Sequence, residues 1–130
     1  MQISIKSRYG LRAMVYLAKA KRICSANEIS QKEKIPFNFL EKILSVLHKK
    51  GLIKCQKGVG GGYFLDKPPE KISVKEVLMA LEDKEIFQIQ CKRKSHFSRK
   101  KCPVKNIWKK VQKVLNSTLK EIKLADLIKT

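Results

Sequence analysis

Four cysteines are the side chains of this sequence that could bind a metal or change oxidation state: Cys24, Cys55, Cys91 and Cys102. No apolar run is long enough to span a bilayer, and the first residues lack the apolar core and cleavage site of a signal peptide, so we expect a cytoplasmic protein. Structural disulfides are rare in a reducing compartment, and we therefore expect thiols or metal ligands. His96 lies between the last two cysteines, but the spacing C-x4-H-x5-C is not a usual zinc arrangement.

Two of the cysteines have simpler interpretations. Cys24 directly precedes the predicted cap of a helix, where the helix dipole can stabilise a thiolate. A buried, unreactive side chain is the more common situation for cysteine, and we favour it here. Cys55 falls in a strand-like run and is predicted to be a packed side chain.

A glycine-rich run, KGVGGG at residues 57–62, could place backbone amides around a phosphate group. A Walker loop, however, ends in Gly-Lys-Ser/Thr and opens a helix, whereas these glycines are followed by the strand-like YFL at residues 63–65. The run is therefore predicted to be the turn of a hairpin that carries one cation, Lys57. No nucleophile, base and orienting acid occur in a recognisable arrangement, so the sequence does not predict an enzyme.

The segment before this hairpin has the pattern of an amphipathic helix. Its apolar residues recur at i, i+3, i+4 and i+7: Leu40, Ile43, Leu44 and Leu47. The polar residues fall on the other side: Asn38, Glu41, Lys42, Ser45 and Lys49. Pro36 suits the first turn and Gly51 the left-handed position after the end, so we predict a helix over about residues 37–49.

Two helices are predicted before it. Residues 1–20 place an apolar face inward (Leu11, Met14, Val15 and Ala18) and a basic one nearer solvent or phosphate (Arg8, Arg12 and Lys19). Residues 25–28, SANE, form a capping box in which the serine accepts an N3 amide and the glutamate reaches back. The short helix that this box begins, a turn at residues 35–36 and the helix at 37–49 predict a winged helix-turn-helix.

The rest of the chain divides into three parts. A second capping box, Ser73 with Glu76, opens a helix that closes the winged domain. Lysines and arginines without an acid crowd the stretch between the last two cysteines, which predicts an open basic loop. Pro103 then begins a long apolar-striped helix of about twenty residues. We accordingly expect a winged helix-turn-helix DNA-binding domain at residues 1–83, a basic cysteine-containing loop at 84–102, to which the resemblance given below assigns the sensor, and a dimerisation helix at 103–130.

The apolar stripe of the long helix exceeds what its own domain can easily cover. Pairing with a second copy of the chain is therefore predicted, and the alternative is a helix folded back onto the winged domain. Leu124, Leu127 and Ile128 are expected to form a short terminal element that packs on the dimer.

Thirty Lys and Arg against eleven Asp and Glu give a formal net charge of +19, which indicates a polyanionic partner. A lysine-rich proteome would be an alternative cause. Because the charge coincides with a predicted helix and hairpin of the kind that binds double-stranded nucleic acid, we favour a nucleic-acid partner over a lysine-rich proteome as its cause. The predicted fold class is mainly α with a small two-stranded β wing.

Taken together, these segments resemble the IscR, NsrR and CymR type of bacterial transcription regulators, also called the Rrf-two family. The resemblance is carried by MQISIKSRYGLRAMVYLA, IPFNFLEKIL, LHKKGLIKCQKGVGGGYFL, KISVKEVLMALE, and CPVKNIW leading into LADL. It implies a homodimeric winged-helix protein that binds double-stranded operator DNA and regulates transcription, joined through its long C-terminal helix.

The resemblance also implies which residues contact DNA: Asn38, Phe39, Glu41, Lys42, Ser45, Lys57 and Gly58. Glu41 matches a base-reading glutamate, and a carboxylate can accept a hydrogen bond from cytosine N4. The pair Lys57-Gly58 matches an Arg-Gly that enters the minor groove, where a cation gains from enhanced negative potential. Lysine lacks the planar fork of arginine, which weakens the expected specificity of the wing.

The cysteines depart from the family pattern. Cluster-binding relatives have three in the loop before the long helix, and this chain keeps only the outer two, Cys91 and Cys102, with His96 in the middle region. Lys105 stands where IscR-like members have a histidine, and Arg8 where NsrR-like members have an acidic ligand.

A two-iron cluster needs four protein ligands. Cys91, Cys102 and His96 would give three, so the fourth would have to come from Cys24, Cys55 or a partner subunit. A [2Fe–2S] cluster, a thiol switch and no cofactor all stay open. The predicted function is a dimeric transcription regulator that senses iron–sulfur, redox or nitrosative signals through Cys91 and Cys102. The alternative is a nonspecific architectural nucleic-acid-binding protein without a sensor, which has no use for a glutamate in its recognition helix.

Overall fold

A computed structural model describes residues 3–82 and 104–129. Within these ranges the helices are α1 (Ile5–Ala20), α2 (Ala26–Glu33), α3 (Phe37–Lys49), α4 (Val74–Leu81), α5 (Lys105–Glu121) and α6 (Leu124–Ile128). The strands are β1 (Ile53–Gln56) and β2 (Gly62–Leu65), and a 3-10 turn at Pro69–Lys71 precedes α4. The predicted fold class, mainly α with a two-stranded β wing, is confirmed. None of the described helices is long and apolar enough to cross a membrane.

Helix α1 packs closely against α4 because its inner face is built from small residues. A Cβ atom added at Gly10 would lie only 2.1 Å from Cδ1 of Leu81, so the two helices approach at this point. Met14 is fully buried in the same face, whereas Leu11 and Val15, which were predicted to point inward, are only half-buried. The apolar periodicity therefore predicted the buried face of α1 approximately. The close approach of Gly10 to Leu81 determines how α1 is rotated about its own axis.

The first turn of α1 is tied to the residue that follows α4. The Glu82 carboxylate accepts hydrogen bonds from the Ser4 backbone N–H at 3.0 Å, the Ser4 hydroxyl at 2.8 Å and the buried Ser7 hydroxyl at 2.7 Å. Partial burial acts to raise the pKa of Glu82, but the hydrogen bonds from Ser7 and Ser4 outweigh it and leave the pKa below its usual value. The carboxylate therefore stays ionised and fixes the helix start.

Only half of the predicted capping box at the start of α2 is present. The Ser25 hydroxyl accepts a hydrogen bond from the Glu28 backbone N–H at 3.1 Å, as predicted. The Glu28 side chain does not complete the predicted box: its carboxylate accepts from Arg22 and Tyr16 instead. An arginine fork binds a carboxylate more strongly than a single backbone amide does, which explains the difference.

Helix α3 has the predicted bounds. Its four stripe residues, Leu40, Ile43, Leu44 and Leu47, are 0% exposed and anchor it in the core. Gly51 follows with φ of 79°, the left-handed conformation expected there, and the Leu52 backbone N–H donates to the Leu47 carbonyl at 3.0 Å. The chain is thereby turned directly into the hairpin.

The hairpin is antiparallel, with Ile53 opposite Leu65 and Gln56 opposite Gly62. Only Ile53 of β1 is buried, and the later residues of the strand are exposed. Cys55 is one of these, so its prediction as a packed side chain is wrong. The reason is that β1 leaves the core after Ile53, and nothing in the described chain covers the side chains of its later residues.

The C-terminal segment returns to the winged domain. The Val74 backbone N–H donates to the Ile122 carbonyl at 2.8 Å, and the Leu124 N–H donates to the Ile72 carbonyl at 2.9 Å. Leu124 is 0% exposed and belongs to the same hydrophobic core as Met14. Leu124 therefore packs in the core of its own chain and not on a dimer as predicted, whereas dimer packing of the half-buried Leu127 and Ile128 stays a prediction. The pairing also ends α5 at 17 residues, short of the predicted twenty.

Candidate nucleic-acid interface

Helix α3 presents a polar face to solvent while its opposite side is locked in the core. Four predicted DNA-binding side chains, Asn38, Glu41, Lys42 and Ser45, are all exposed and line one shallow surface depression together with Val46. Spacing at i, i+3, i+4 and i+7 brings them into one row. The row combines amide, carboxylate, ammonium and hydroxyl groups, which between them can donate to and accept from base edges and phosphates.

Phe39 differs from its neighbours on α3 because its ring is half-buried. The ring meets that of Tyr9 of α1 edge to face, with centroids 5.7 Å apart and planes at 81°. Packing against the core holds the start of α3 in place relative to α1. The structure thus places Phe39 where it orients the helix, and its predicted DNA contact stays a prediction.

Arg12 joins α1 to the end of α2 beside this face. Its guanidinium donates to the Glu33 carbonyl at 2.5 Å and to the Glu33 carboxylate at 3.2 Å, and it lies 6.0 Å from the centroid of the Tyr9 ring. The carbonyl belongs to the last turn of α2, where backbone acceptors have no partner within the helix and a cation is favoured. Arg12 is exposed as predicted, but its described contacts connect α1 to the end of α2.

The tip of the wing is held by glycines and carries an exposed cation. Gly58 and Gly60 have φ of 100° and 75°, and the Gly61 backbone N–H donates to the Gly58 carbonyl at 3.0 Å. Lys57 is exposed and has no ion pair with any carboxylate of the described residues, in contrast to Lys54, which pairs with Asp66 at 3.0 Å. The ammonium of Lys57 is therefore available to a phosphate or a groove.

The base of the wing is fastened to the helix-turn-helix by a backbone bridge that the sequence did not reveal. The Cys24 N–H donates to the Tyr63 carbonyl at 2.9 Å, and the Tyr63 N–H donates to the Cys24 carbonyl at 2.8 Å. Cys24 precedes α2 by two residues, so the bridge fixes β2 relative to the start of the helix-turn-helix. A single bridge of this kind produces no periodic pattern of side chains. The one feature of the sequence that could have indicated it is Gly62, whose lack of a side chain permits the close approach.

A charged network stands next to this bridge. Arg22 binds Glu28 through both guanidinium nitrogens at 2.9 and 2.8 Å, and the Tyr16 hydroxyl donates to the same carboxylate at 2.5 Å. The hydrogen bonds from Arg22 and then Tyr16 lower the pKa of Glu28 to about 2. The Tyr16 hydroxyl, by donating to this carboxylate, has its own pKa raised. The network holds the chain leading into α2.

The two cysteines that the structure describes, Cys24 and Cys55, are placed very differently. Cys24 is 0% exposed, and burial raises the pKa of its thiol, so the structure favours the buried, unreactive interpretation over a dipole-stabilised thiolate. Cys55 is exposed on β1. Cys91, His96 and Cys102 lie outside the described residues. Among the residues that the structure does describe, no three His, Cys, Asp or Glu side chains are grouped as metal ligands.

A helix-turn-helix whose second helix exposes a polar row, followed by a hairpin fixed beside it, defines the winged-helix class of DNA-binding proteins. The sequence profile of the Rrf2 family, described as "Iron-dependent Transcriptional regulator", matches residues 3–130. The chain belongs to this family and is a helix-turn-helix transcriptional regulator, which confirms the resemblance and the expectation that it is not an enzyme.

Individual relatives agree. Protein rrf2 of Nitratidesulfovibrio vulgaris is 32% identical over 133 residues, which cover 99% of this chain and 88% of the relative. CymR (YrzC), the global cysteine regulator of B. subtilis, superimposes with a TM-score of 0.86 at 27% identity and covers 99% of this chain and 97% of its own. IscR of T. potens has a TM-score of 0.79 at 32% identity, covering 99% and 87%.

Proposed function

We propose that this regulator binds a specific operator in double-stranded DNA as a homodimer, with α3 in the major groove and the hairpin tip in the adjacent minor groove. The observation that carries the proposal is the exposed row on α3, because a helix with four fully buried anchors can present its other side rigidly. Rigid placement is what base-edge hydrogen bonds require.

Within the row, Glu41 accepts from cytosine N4, while Asn38, Lys42 and Ser45 contact neighbouring bases or phosphates. Phe39 joins them at the start of the helix, where its backbone lies at the interface and its ring sets the angle of α3. In the wing, Lys57 and Gly58 enter the minor groove, where the glycine at φ of 100° allows the tip to come close to the sugars.

Dimerisation is assigned to α5. Large apolar side chains on this helix stay exposed, among them Ile107 at 55%, Trp108 at 44% and Val114 at 64%. Exposed large apolar side chains on one helix are typical of an interface, and a twofold pair of α5 helices would cover them. The division into a DNA-binding part at residues 1–83, a sensor at 84–102 and a dimerisation part at 103–130 follows, with α6 serving as the clamp that holds α5 to its own domain.

Sensing is assigned to Cys91 and Cys102, with His96 as the third ligand of a [2Fe–2S] cluster. The description of the family as iron-dependent supports this assignment. Such a cluster needs four protein ligands. Since Cys24 is enclosed in the core beside Arg22, we assign the fourth ligand to Cys55 or to the partner subunit. As a transcription regulator the protein acts in the cytoplasm.

The decisive experiment compares the wild-type protein with Glu41→Ala on an operator selected from a random DNA pool and on single-base variants of it. We expect Glu41→Ala to lose discrimination at one base pair, worth about 1–3 kcal/mol, while affinity for unrelated DNA stays unchanged. Equal losses on operator and unrelated DNA would instead indicate the nonspecific architectural function, whose affinity comes from the charge of +19 alone.

The cofactor is tested separately, on protein purified without oxygen. Visible absorption together with iron and acid-labile sulfide is expected in the wild-type protein and is expected to be lost in Cys91→Ala and Cys102→Ala. Colourless, iron-free protein that still binds its operator fully would contradict the cluster and leave the DNA-binding proposal intact.

A further inference from the structure

A groove of about 590 Å³ lies between the end of α1, strand β2, the 3-10 turn and α6. Its floor is formed by Leu17 and Ala18, which are almost fully buried. Half-buried apolar side chains form its walls, with Phe64 from β2 on one side and Ile128 from α6 on the other. None of its lining residues belongs to α3 or to α5, so the groove is separate from both the DNA-reading row and the proposed dimer face.

The rim of this groove is mainly cationic. Lys21, Lys67 and Lys129 are exposed at its edge, and none of them forms an ion pair with a carboxylate of residues 3–82 or 104–129. Arg22 also lines the groove, but its guanidinium is held by Glu28. Glu70 is the single acid among the lining residues, so the three lysines leave a net positive rim over an apolar floor.

We propose that this groove binds a small amphipathic carboxylate, such as a medium-chain fatty acid, and that the bound molecule regulates the wing. The apolar chain would lie on Leu17 and Phe64, and the carboxylate would meet the lysines of the rim. Ligand pockets commonly have volumes of roughly 300–1,000 Å³ and combine apolar lining with a few polar groups, as this groove does. Charge complementarity selects an anion over a neutral lipid.

The groove is connected directly to the wing. Ile23 and Phe64 line it, and each is the chain neighbour of a residue of the backbone bridge, Cys24 and Tyr63 respectively. A molecule packed against both would fix the distance between the α1–α2 segment and β2, and with it the position of Lys57 at the tip. This regulatory part rests on the proposed function, because it assumes that the wing contributes to operator binding.

Binding is measured without DNA, by isothermal titration of decanoate below its micelle concentration into the full-length protein, with decanol as the neutral counterpart. We expect one decanoate per protomer and at least tenfold weaker binding of decanol. In Ala125→Trp the indole would fill the groove from α6, and binding is expected to fall at least tenfold with net charge unchanged. Circular dichroism melting confirms that the variant is folded.

A second pair of variants covers the case in which Ala125→Trp does not fold. Lys67→Glu reverses a rim charge, and Lys110→Glu makes the same change on exposed α5, outside the groove. We expect several-fold weaker decanoate binding for Lys67→Glu and wild-type binding for Lys110→Glu. Equal weakening of both, or several decanoates per chain that Ala125→Trp leaves unchanged, would mean general charge neutralisation and overturn the proposal.

Four further outcomes are informative. No binding heat up to 1 mM decanoate, or a change in sedimentation on Ala125→Trp that makes the groove a contact between copies, would overturn the site. Decanoate that binds but leaves operator affinity unchanged would overturn its regulatory role. Failure of the Glu41→Ala specificity test would contradict the proposed function, and it would leave the direct measurement of decanoate binding unaffected.

Discussion

Gly62 lies against the carbonyl of Cys24, so close that a Cβ atom at this position would be 2.3 Å from the carbonyl oxygen. Its φ of 156° is also uncommon for residues with a side chain. We therefore expect Gly62→Ala to break the bridge between the wing and the α1–α2 segment, with a loss of stability on the order of 3 kcal/mol. Denaturant unfolding measures this loss, and operator titration measures the accompanying loss of affinity.

The control for this change is Gly60→Ala at the wing tip. Gly60 has φ of 75°, but an added Cβ would meet nothing within 4 Å. Only the cost of the left-handed conformation remains, about 1 kcal/mol. If Gly62→Ala and Gly60→Ala lose equal stability, the close approach of Gly62 to Cys24 does not contribute to the loss.

The network of Arg22, Tyr16 and Glu28 makes part of the stability depend on pH. The pKa of Glu28 is about 2 in the folded protein against 4.5 for a free side chain, so unfolding releases a carboxylate that binds protons more readily. This contribution is complete above pH 4.5 and is lost as the pH falls toward 2. Glu28→Gln is expected to be destabilised at pH 7 and to approach the wild type at pH 2–3, measured by urea unfolding at each pH.

Glu121→Gln serves as the matched control for Glu28→Gln. Glu121 is exposed at the end of α5 and forms no ion pair within the described chain. Its replacement removes the same charge without a network, so its effect should be small at both values of pH. A Glu28→Gln variant whose loss of stability is constant from pH 7 to pH 2 would show that the ionised form is not what the network stabilises.

The wing lysine is expected to act through phosphates and the minor groove. Lys57→Ala should weaken binding to the operator and to unrelated DNA alike, and it should reduce the slope of log K against log salt concentration by about 1. The control is Lys54→Ala, because the Lys54 ammonium is already held by Asp66 at 3.0 Å. Salt-dependent fluorescence anisotropy distinguishes the two, and identical slopes for Lys57→Ala and the wild type would exclude the contact.

The exposed apolar side of α5 predicts how the dimer can be broken. Ile107→Glu places a charge in the proposed interface, and we expect sedimentation to show monomers at concentrations where the wild type is dimeric. Asn106→Glu adds the same charge at an exposed neighbouring position and should stay dimeric. Trp108, which is 44% exposed, should show red-shifted fluorescence in the monomer. Dimers of unchanged stability in Ile107→Glu would place the interface elsewhere.

Features that depend on local sequence were predicted well. The bounds of α3 followed from an apolar stripe together with the left-handed glycine at its end, and Ser25 and Ser73 both accept the predicted N3 amide. Each of these signals involves residues within one or two helical turns. The exposed row on α3 followed from the same stripe, since residues opposite a buried face must point outward.

Features that depend on pairing between distant segments were not predicted. The bridge between Cys24 and Tyr63 uses backbone groups only, so no pattern of side chains in the sequence predicts it. Glu28 was assigned to its own helix cap because Tyr16 reaches it only once α1 has folded beside α2, and Arg22 only through the turn between these helices. The burial of Leu124 was missed for the same reason, since its partners lie in α1 and beside the 3-10 turn.

Leu124 and the pairing of Lys123 with Ser73 also set the order in which the protein can mature. The N-terminal helices emerge from the ribosome first, yet the hydrophobic core to which they belong stays open on one side until residues 122–124 have been translated. A nascent chain that already contains the complete helix-turn-helix and wing consequently still has an incomplete core. A chain that ends before Ile122 should therefore lose solubility, although every side chain of the exposed row on α3 is still present.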